Sequence, residues 1–344
     1  MVSPRHVIPP CRVPCGPRGP VPGLGAVIGP GGWDKSGGDN GSGGGPAMAA
    51  VLRVLLCLLP ALAAGGFSVS DQELSALAER LYAADRNRAA PGDIILALQH
   101  RVSNSEAGAG HDYAPQRLFS RVAEDALFSR PTFSRLLALL DNFVAPTGSA
   151  EVVTAAEQRE VAAFLDAVLQ TPVMAALTSF FLNKGLYGSE AAFRDDLEEM
   201  WFGLYSRSGG SALDSSGFEH VFHGEIKNGK VSGGHSWVQL YRLEKLGQLN
   251  YLSYSYDGPW DTFPDVLALQ YRWDGHLKSI GSTFMGSSPE FDLALYTLCY
   301  KARPDRECHV TLGGKAATIQ TYSWTNSYYG DRQRFVASSY PLSP

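Results

Sequence analysis

GFEHVFHGEIKNGKVSGGHSWVQLY, residues 217–241, carries three of the chain's eight histidines, two glutamates and the pair Asn228-Gly229. Asn-Gly between two strand-like runs is the strongest short hairpin signal, because both residues tolerate the positive φ of a type I′ turn. Placing that pair at the turn sets Lys227 opposite Lys230, Glu225 opposite Ser232 and Phe222 opposite His235. Side chains alternate faces along a strand, so His220, Phe222 and His235 share one face. His220 and His235 then become diagonal neighbours, with Cβ atoms roughly 7–8 Å apart. In the same register His223, Glu219 and Glu225 point to the opposite face. Gly233-Gly234 is a candidate bulge, and a bulge there slips the register by one and turns His235 away.

Two imidazoles at that separation are too far apart to bond each other. They suit gripping one small group, such as a phosphodiester, from opposite sides. One neutral and one protonated imidazole then act as base and acid, because histidine titrates near neutral pH. Spacing alone leaves two other readings open. Histidines on a strand face are commonly structural. His220, His235 and a glutamate are also a conceivable metal set, although they lack the i, i+2 or i, i+4 compactness of common zinc motifs.

Working outward, residues 70–205 read as helical. SDQE at 70–73 is a capping-box pattern with Ser70 facing Glu73, followed by Leu74, Leu77, Leu81 and Tyr82 at helical spacing. Further helical patterns are PGDIILALQHRV, TFSRLLALLDNF, AEVVTAAEQREVAAFLDAVLQ, PVMAALTSFFLN and SEAAFRDDLEEMWFGLY. Pro91, Pro131 and Pro172 suit first helical turns. His100 and His111 stand alone, and no catalytic constellation shows in this half.

From about residue 211 aromatic and β-branched residues rise, punctuated by Gly, Asn and Asp. VSGGHSWVQLYRLEK, QLNYLSYSY, VLALQYRW, STFMG, CHVTL, ATIQTYSW and FVASSY read as strands. SPEFDLALYTLCY is ambiguous, opening as a helix and ending as a strand. The expected fold class is α+β: an N-terminal helical region (68–210) followed by a mostly antiparallel β catalytic region (211–344).

The chain has 344 residues, 44% hydrophobic and 18% charged, with a formal net charge of −5. That is a globular composition. An acidic balance argues against non-specific nucleic-acid binding, which comes from neutralising phosphates. Any such contact has to come from a local cluster, for which Lys227, Lys230, Arg242 and Lys278 are the candidates.

Residues 1–47 are dense in Gly and Pro and read as a disordered extension. Cys11 and Cys15 there have no His or second Cys pair nearby, which argues against a metal site. MAAVLRVLLCLLPALAAGGFS, from Met48, follows signal-peptide grammar: Arg53, a short apolar run, and cleavage near Ala63 or Ala64. The run is too short for a comfortable membrane span. Secretion is the expectation, with Met48 as the working start. Only Cys299 and Cys308 then remain, flanking a polar stretch between two apolar runs. Two strands joined there would bring them within reach of a disulfide.

SGFEHVFHGE (216–225), GGHSWVQLY (233–241), LQYRWDGHLKSIGSTFMGSSPEFDLALYTLCY (269–300) and the closing SSYP (338–341) resemble the EndoU family of uridylate-specific endoribonucleases. FLDAVLQT, MWFGLYSR and DSSGFEHVF also resemble family blocks, and the likeness spans roughly residues 70–344. It implies catalysis by His220, His235 and Lys278, with Glu219 and Glu225 supporting. It implies uracil contacts from Ser282, Ser338 and Tyr340. His223 falls where the family has no catalytic histidine, and His276 reads as a loop residue. Ser338 stands where the family has Thr, and Ala337 where it has Gly. The resemblance further implies Mn²⁺ stimulation, with Ca²⁺ as the second candidate, at a metal site that the sequence does not identify. The expected substrate is single-stranded, uridine-containing RNA, cut to a 2′,3′-cyclic phosphate and a 5′-hydroxyl by a monomer that does not cleave DNA. The rival expectation is a secreted binding module of the same fold.

Overall fold

The computed structural model describes residues 67–344. The readings of residues 1–47, of the leader at 48–64 and of Cys11 and Cys15 lie outside the described residues. The chain runs α1 (Asp71–Ala84), β1 (Ile94–Leu96), α2 (Asn104–Ala107), β2 (Phe119–Val122), α3 (Glu124–Leu127), α4 (Pro131–Leu139), α5 (Ala155–Leu169), α6 (Pro172–Asn183) and α7 (Glu190–Phe202). A π-helical turn (Glu219–His223) follows, then β3 (Glu225–Lys227), β4 (Lys230–Ser232), α8 (Trp237–Lys245), β5 (Leu249–Gly258), β6 (Asp265–Trp273) and β7 (His276–Met285). The chain closes with α9 (Pro289–Ala302), β8 (Glu307–Leu312), β9 (Lys315–Ser323) and β10 (Val336–Pro341). This is the expected α+β class, with helices dominating the first half and sheets the second.

The predicted cap is present. Ser70 Oγ accepts from the Glu73 amide, and the Glu73 carboxylate accepts from the Ser70 amide. Thr154 with Glu157 opens α5 in the same reciprocal way. Pro131 and Pro172 start α4 and α6, where a missing N–H costs nothing.

Three local expectations are corrected. PGDIILALQHRV is not a helix: β1 pairs antiparallel with β2, Ile94 opposite Val122. A short apolar run with adjacent β-branched residues fits either element, and strand pairing decides it. VSGGHSWVQLYRLEK gives only β4 at its start and then α8. Trp237, Leu240, Tyr241 and Glu244 fall on one helical face, and the Glu244 carboxylate accepts from the Leu118 and Phe119 amides at 2.7 and 2.9 Å. SPEFDLALYTLCY is helical throughout. As α9 it is buried from Pro289 to Tyr300, Glu290 and Asp292 included, so it is packed on all sides rather than along one stripe.

Sheet order places the site. β3-β4-β7-β6-β5 form one sheet, antiparallel except for a single parallel β4–β7 pairing, Lys230 with Leu277. β10-β9-β8 form a second, fully antiparallel sheet. Packed near both is α9, which touches α1, α4, α5, α6, β9 and β10. Cys299 and Cys308 form a disulfide with Cα atoms 5.6 Å apart. It joins α9 to β8 rather than two strands. Among the described residues no single helix is long and apolar enough to cross a membrane, and α5 and α6 meet at 84°.

Candidate active site

The Asn228-Gly229 turn holds the predicted register: Lys227 faces Lys230 and Glu225 faces Ser232. Asn228 and Gly229 both take positive φ, at 52° and 73°. The ladder stops at Glu225, however, because residues 219–223 coil into the π-turn. Gly224 donates to the Glu219 carbonyl at 2.8 Å, and Gly224 itself turns the chain at φ 90°. Phe218 and Phe222 stack at 4.6 Å and anchor the turn in the core. Such turns alter which side chains share a face and recur at functional sites. The alternation expected for a strand therefore fails: Glu225 does not point away from His220 but bonds it.

His220 Nδ1 lies 2.7 Å from Glu225 Oε2, and the same oxygen meets Arg207 Nε at 3.0 Å. Neither His220 nor Glu225 is exposed to more than a trace. His235 follows two consecutive glycines with φ of 67° and 74°. A Cβ on Gly233 would lie 1.9 Å from the His220 carbonyl oxygen, so only glycine permits this approach. Gly234 N–H then donates to the His220 carbonyl at 2.9 Å and His235 N–H to the Val221 carbonyl at 2.7 Å. These two bonds lock the second histidine to the first, in place of the predicted cross-strand diagonal.

His235 Nδ1 sits 2.7 Å from the Ser282 carbonyl. A carbonyl only accepts, so Nδ1 carries the proton and Nε2 is left with its lone pair. Lys278, on β7, is buried and donates to the Gly233 carbonyl at 2.7 Å. Ser282 Oγ donates to the Pro341 carbonyl, tying β7 to β10. The Ser338 hydroxyl is buried without a partner. The Tyr340 ring lies flat on His235, with centroids 4.4 Å apart and planes 8° apart. His220, His235, Lys278, Ser282, Ser338 and Tyr340 all line one cleft of about 670 Å³.

Burial sets the charges. It pulls His220 down to about 4, helped by Arg207 and opposed by Glu225. Burial and Lys278 hold His235 well below the usual imidazole range. Burial lowers Lys278 to about 8 against the pull of Glu225. For Glu225 burial acts upward, but His220 and Arg207 outweigh it and keep the carboxyl ionised. Glu219 is different. Both its oxygens are buried and unbonded, and burial with repulsion from Glu225 and Glu151 pushes it up to about 10. It is an uncharged acid at neutral pH and makes no bond to His220.

The other sequence candidates separate. His223 packs against Phe143 and Trp273 and bonds the Gly224 carbonyl. His276 bonds the Gly229 carbonyl at the hairpin tip. Of the four basic candidates only Lys278 lines the cleft, while Lys227 bonds the Arg207 carbonyl. Arg207 was the residue missed. It is buried, reaches Ser215 Oγ and the Ala337 carbonyl at 2.9 and 2.8 Å, and lies against the Tyr205 and Trp324 rings. Its one signal was its place at the end of MWFGLYSR. Ala337, where the family has Gly, sits at a register irregularity in β10 but keeps negative φ, so its Cβ is tolerated.

Among the described residues no group of three or more His, Cys, Asp or Glu side chains is placed to hold a metal ion. The Glu225 oxygen that faces His220 is already shared with Arg207, and Glu219 keeps its proton. These residues do not fit as ligands for Mn²⁺ or Ca²⁺.

Residues 73–341 match the family model described as Endoribonuclease XendoU. The chain is 56% identical to uridylate-specific endoribonuclease C of Xenopus laevis over 85% of its own length and 100% of that protein's. It is 47% identical to the uridylate-specific endoribonuclease of Homo sapiens over 80% of its length and 67% of the relative's. Among solved structures it superposes with a TM-score of 0.64 and 37% identity on that titled "The structure of XendoU: a splicing independent snoRNA processing endoribonuclease", covering 78% of this chain and 96% of that one. With the fold, the cleft and these likenesses in agreement, the chain belongs to the XendoU family of endoribonucleases.

Proposed function

We propose that this protein is a secreted, uridylate-specific endoribonuclease that cuts single-stranded RNA by internal transphosphorylation. One observation carries the reading: two imidazoles, each with Nδ1 engaged, line one cleft beside a buried lysine. His235 is the base. Its Nδ1–H is held by a carbonyl, so Nε2 accepts the proton of the ribose 2′-hydroxyl. A bond forms between O2′ and phosphorus as the bond from phosphorus to the 5′-oxygen breaks. His220 is the acid. The Glu225 carboxylate at its Nδ1 stabilises the imidazolium, whose Nε2–H protonates the departing 5′-oxygen. Lys278 stabilises charge on the non-bridging oxygens. The products are a 2′,3′-cyclic phosphate and a 5′-hydroxyl.

In the free cleft both imidazoles are neutral at pH 7. A substrate phosphate supplies the negative charge that offsets Arg207 and Lys278, and so lets one imidazole take up a proton. Ser282 and Ser338 line the cleft beside Tyr340, and hydrogen bonds between them and the base edge would discriminate uracil. Tyr340 supplies the ring for stacking. Stimulation by Mn²⁺ or Ca²⁺ belongs to the same proposal, and no step above is routed through a cation. Secretion rests on the leader grammar at residues 48–64, with the Cys299–Cys308 disulfide consistent with it. The monomeric state rests on the family likeness.

The test is cleavage of a short RNA with one internal uridine, beside its DNA copy, with and without Mn²⁺, with product ends read by mass. Cutting at uridine to a cyclic phosphate is expected on RNA only. His235→Ala should lose about 10³-fold or more in rate, within the range removed with a general base. A folded protein that cuts no RNA under any condition would overturn the reading in favour of a binding module.

A further inference from the structure

The catalytic cleft does not end at the residues that the mechanism uses. Asn104, the first residue of α2, lines it and also lines a second hollow of about 550 Å³, so the two join there. Arg101, Ser103, Ser255, Tyr256 and Pro344 surround that hollow. The segment ahead of α2 is pinned to the edge of β5. Val102 N–H donates to the Tyr254 carbonyl at 2.8 Å, and Tyr254 N–H donates to the His100 carbonyl at 3.2 Å. Arg101 lies between these bonds and is exposed, and its Nε donates to the Ser255 carbonyl at 3.0 Å. Among the described residues the guanidinium makes no other hydrogen bond and no ion pair. Asp257 is near enough to feel its charge but does not pair with it. One N–H therefore fixes the stem of the fork while the two terminal nitrogens stay free. The Asn104 carboxamide is exposed and, among the described residues, also makes no hydrogen bond.

We propose that Arg101 anchors a phosphate of the RNA strand beyond the scissile link, with Asn104 carrying the strand from the cleft to it. The proposal rests on the ribonuclease reading above and deepens it. The substrate is then a strand of several nucleotides rather than a lone uridylate, and the N-terminal half of the chain helps to hold it. A guanidinium with both terminal nitrogens free binds two phosphate oxygens at once, which a lysine does not. The carboxamide at the junction offers a donor and an acceptor to the sugar-phosphate backbone on the way. Contacts of this kind position a strand without reading its sequence, so the neighbours of the uridine are held but not selected here.

The test uses ApApApUpApApA, which has one uridine, and a set of copies in which each non-scissile linkage in turn is an uncharged methylphosphonate. Values of kcat/KM are compared for wild type, Arg101→Ala and Arg101→Lys. At one linkage the neutral group should cost wild type on the order of ten-fold. The same change should cost Arg101→Ala almost nothing, because the contact is already gone. That linkage identifies the anchored phosphate and the side of the uridine on which it lies. Arg101→Lys keeps the charge without the fork and should show a weaker form of the wild-type pattern. On the fully charged strand, log kcat/KM should fall with log salt less steeply for Arg101→Ala, by about 0.7 in slope. Methylphosphonates that cost wild type and Arg101→Ala alike at every linkage overturn the proposal, and any loss in the variant is then structural. Wild-type protein that leaves the fully charged strand uncut overturns the ribonuclease reading as well, and that result is distinct from the other.

Discussion

The two walls of the cleft are built on opposite principles. On one, formed by the π-turn, the Gly233–His235 segment and β7, each chemical group is tied down. His220 has Glu225 and Arg207 behind it, His235 has the Ser282 carbonyl, and Lys278 has the Gly233 carbonyl. On the other, formed by β9 and β10, capacity is left unused: the Ser338 hydroxyl has no partner and Tyr322 faces solvent. Groups that handle developing charge gain from fixed orientation before the substrate arrives. Groups that meet the substrate's bases have to keep bonding capacity free for them. Ser282 belongs to both walls, with its carbonyl on His235 and its hydroxyl on Pro341.

Substitution can break this contrast. Among substitutions that leave every catalytic side chain in place, the largest loss of rate is expected for Gly233→Ala, where a Cβ would sit 1.9 Å from the His220 carbonyl oxygen. Either histidine has to move, and a displacement of about 1 Å costs on the order of 100-fold in rate. Gly229→Ala is the control. It has the same sign of φ but open space around it, so it should cost about 1–2 kcal/mol of stability with little change in rate. Comparable rates for the two variants would mean that the fixed wall is not fixed by this contact.

Acid is expected to act on stability rather than on rate. His220 and His223 are both held down to about 4 by burial, whereas an unfolded histidine titrates near 6.5. Between those values the unfolded chain binds more protons, so stability present above pH 6.5 is lost as pH falls toward 4. The expected slope is about 1.4 kcal/mol per pH unit for each histidine, read by urea unfolding at several pH values. The recognition wall is silent in this range, because burial and Tyr322 hold Tyr340 up to about 12. A flat profile would contradict the neutral, buried imidazoles.

The smallest effect is expected for Ser338→Ala. Losing one neutral hydrogen bond to the base edge, worth about 1 kcal/mol, should reduce the preference for uridine over cytidine by roughly five-fold. The rate on uridine substrates should change less. A loss in rate equal to that of Gly233→Ala would erase the distinction between the walls.

Where sequence and structure agree, local chemistry decides the shape. Asn228-Gly229 specifies its turn and the three pairs nearest to it, and Ser70 with Glu73 specifies its cap. Where they part, a longer-range contact wins. Residues 219–223 look like a strand because Val221 and Phe222, both strand-favouring, lie between polar residues just ahead of a hairpin signal. They coil because Phe218 and Phe222 stack into a core the local pattern does not describe. Gly233-Gly234 read as a threat to the histidine pairing, yet it is the feature that allows it. Trp237 to Lys245 misled through composition, since Trp, Val and Tyr favour strands while their spacing was helical. Arg207 was invisible because its partners Ser215, Glu225 and Ala337 are separated from it by 8 to 130 residues of chain.

The sealed proton on Glu219 changes what an approaching polyanion encounters. With that acid uncharged, the ionised groups nearest His220 are Arg207, Lys278 and Glu225, which leaves a positive balance inside a chain whose formal charge is −5. The attraction is local, set in a cleft rather than spread over the surface, and salt screens it beyond about 10 Å. Capture of RNA should therefore depend on close encounter. Its association rate should fall less steeply with ionic strength than that of a protein with a broad basic face.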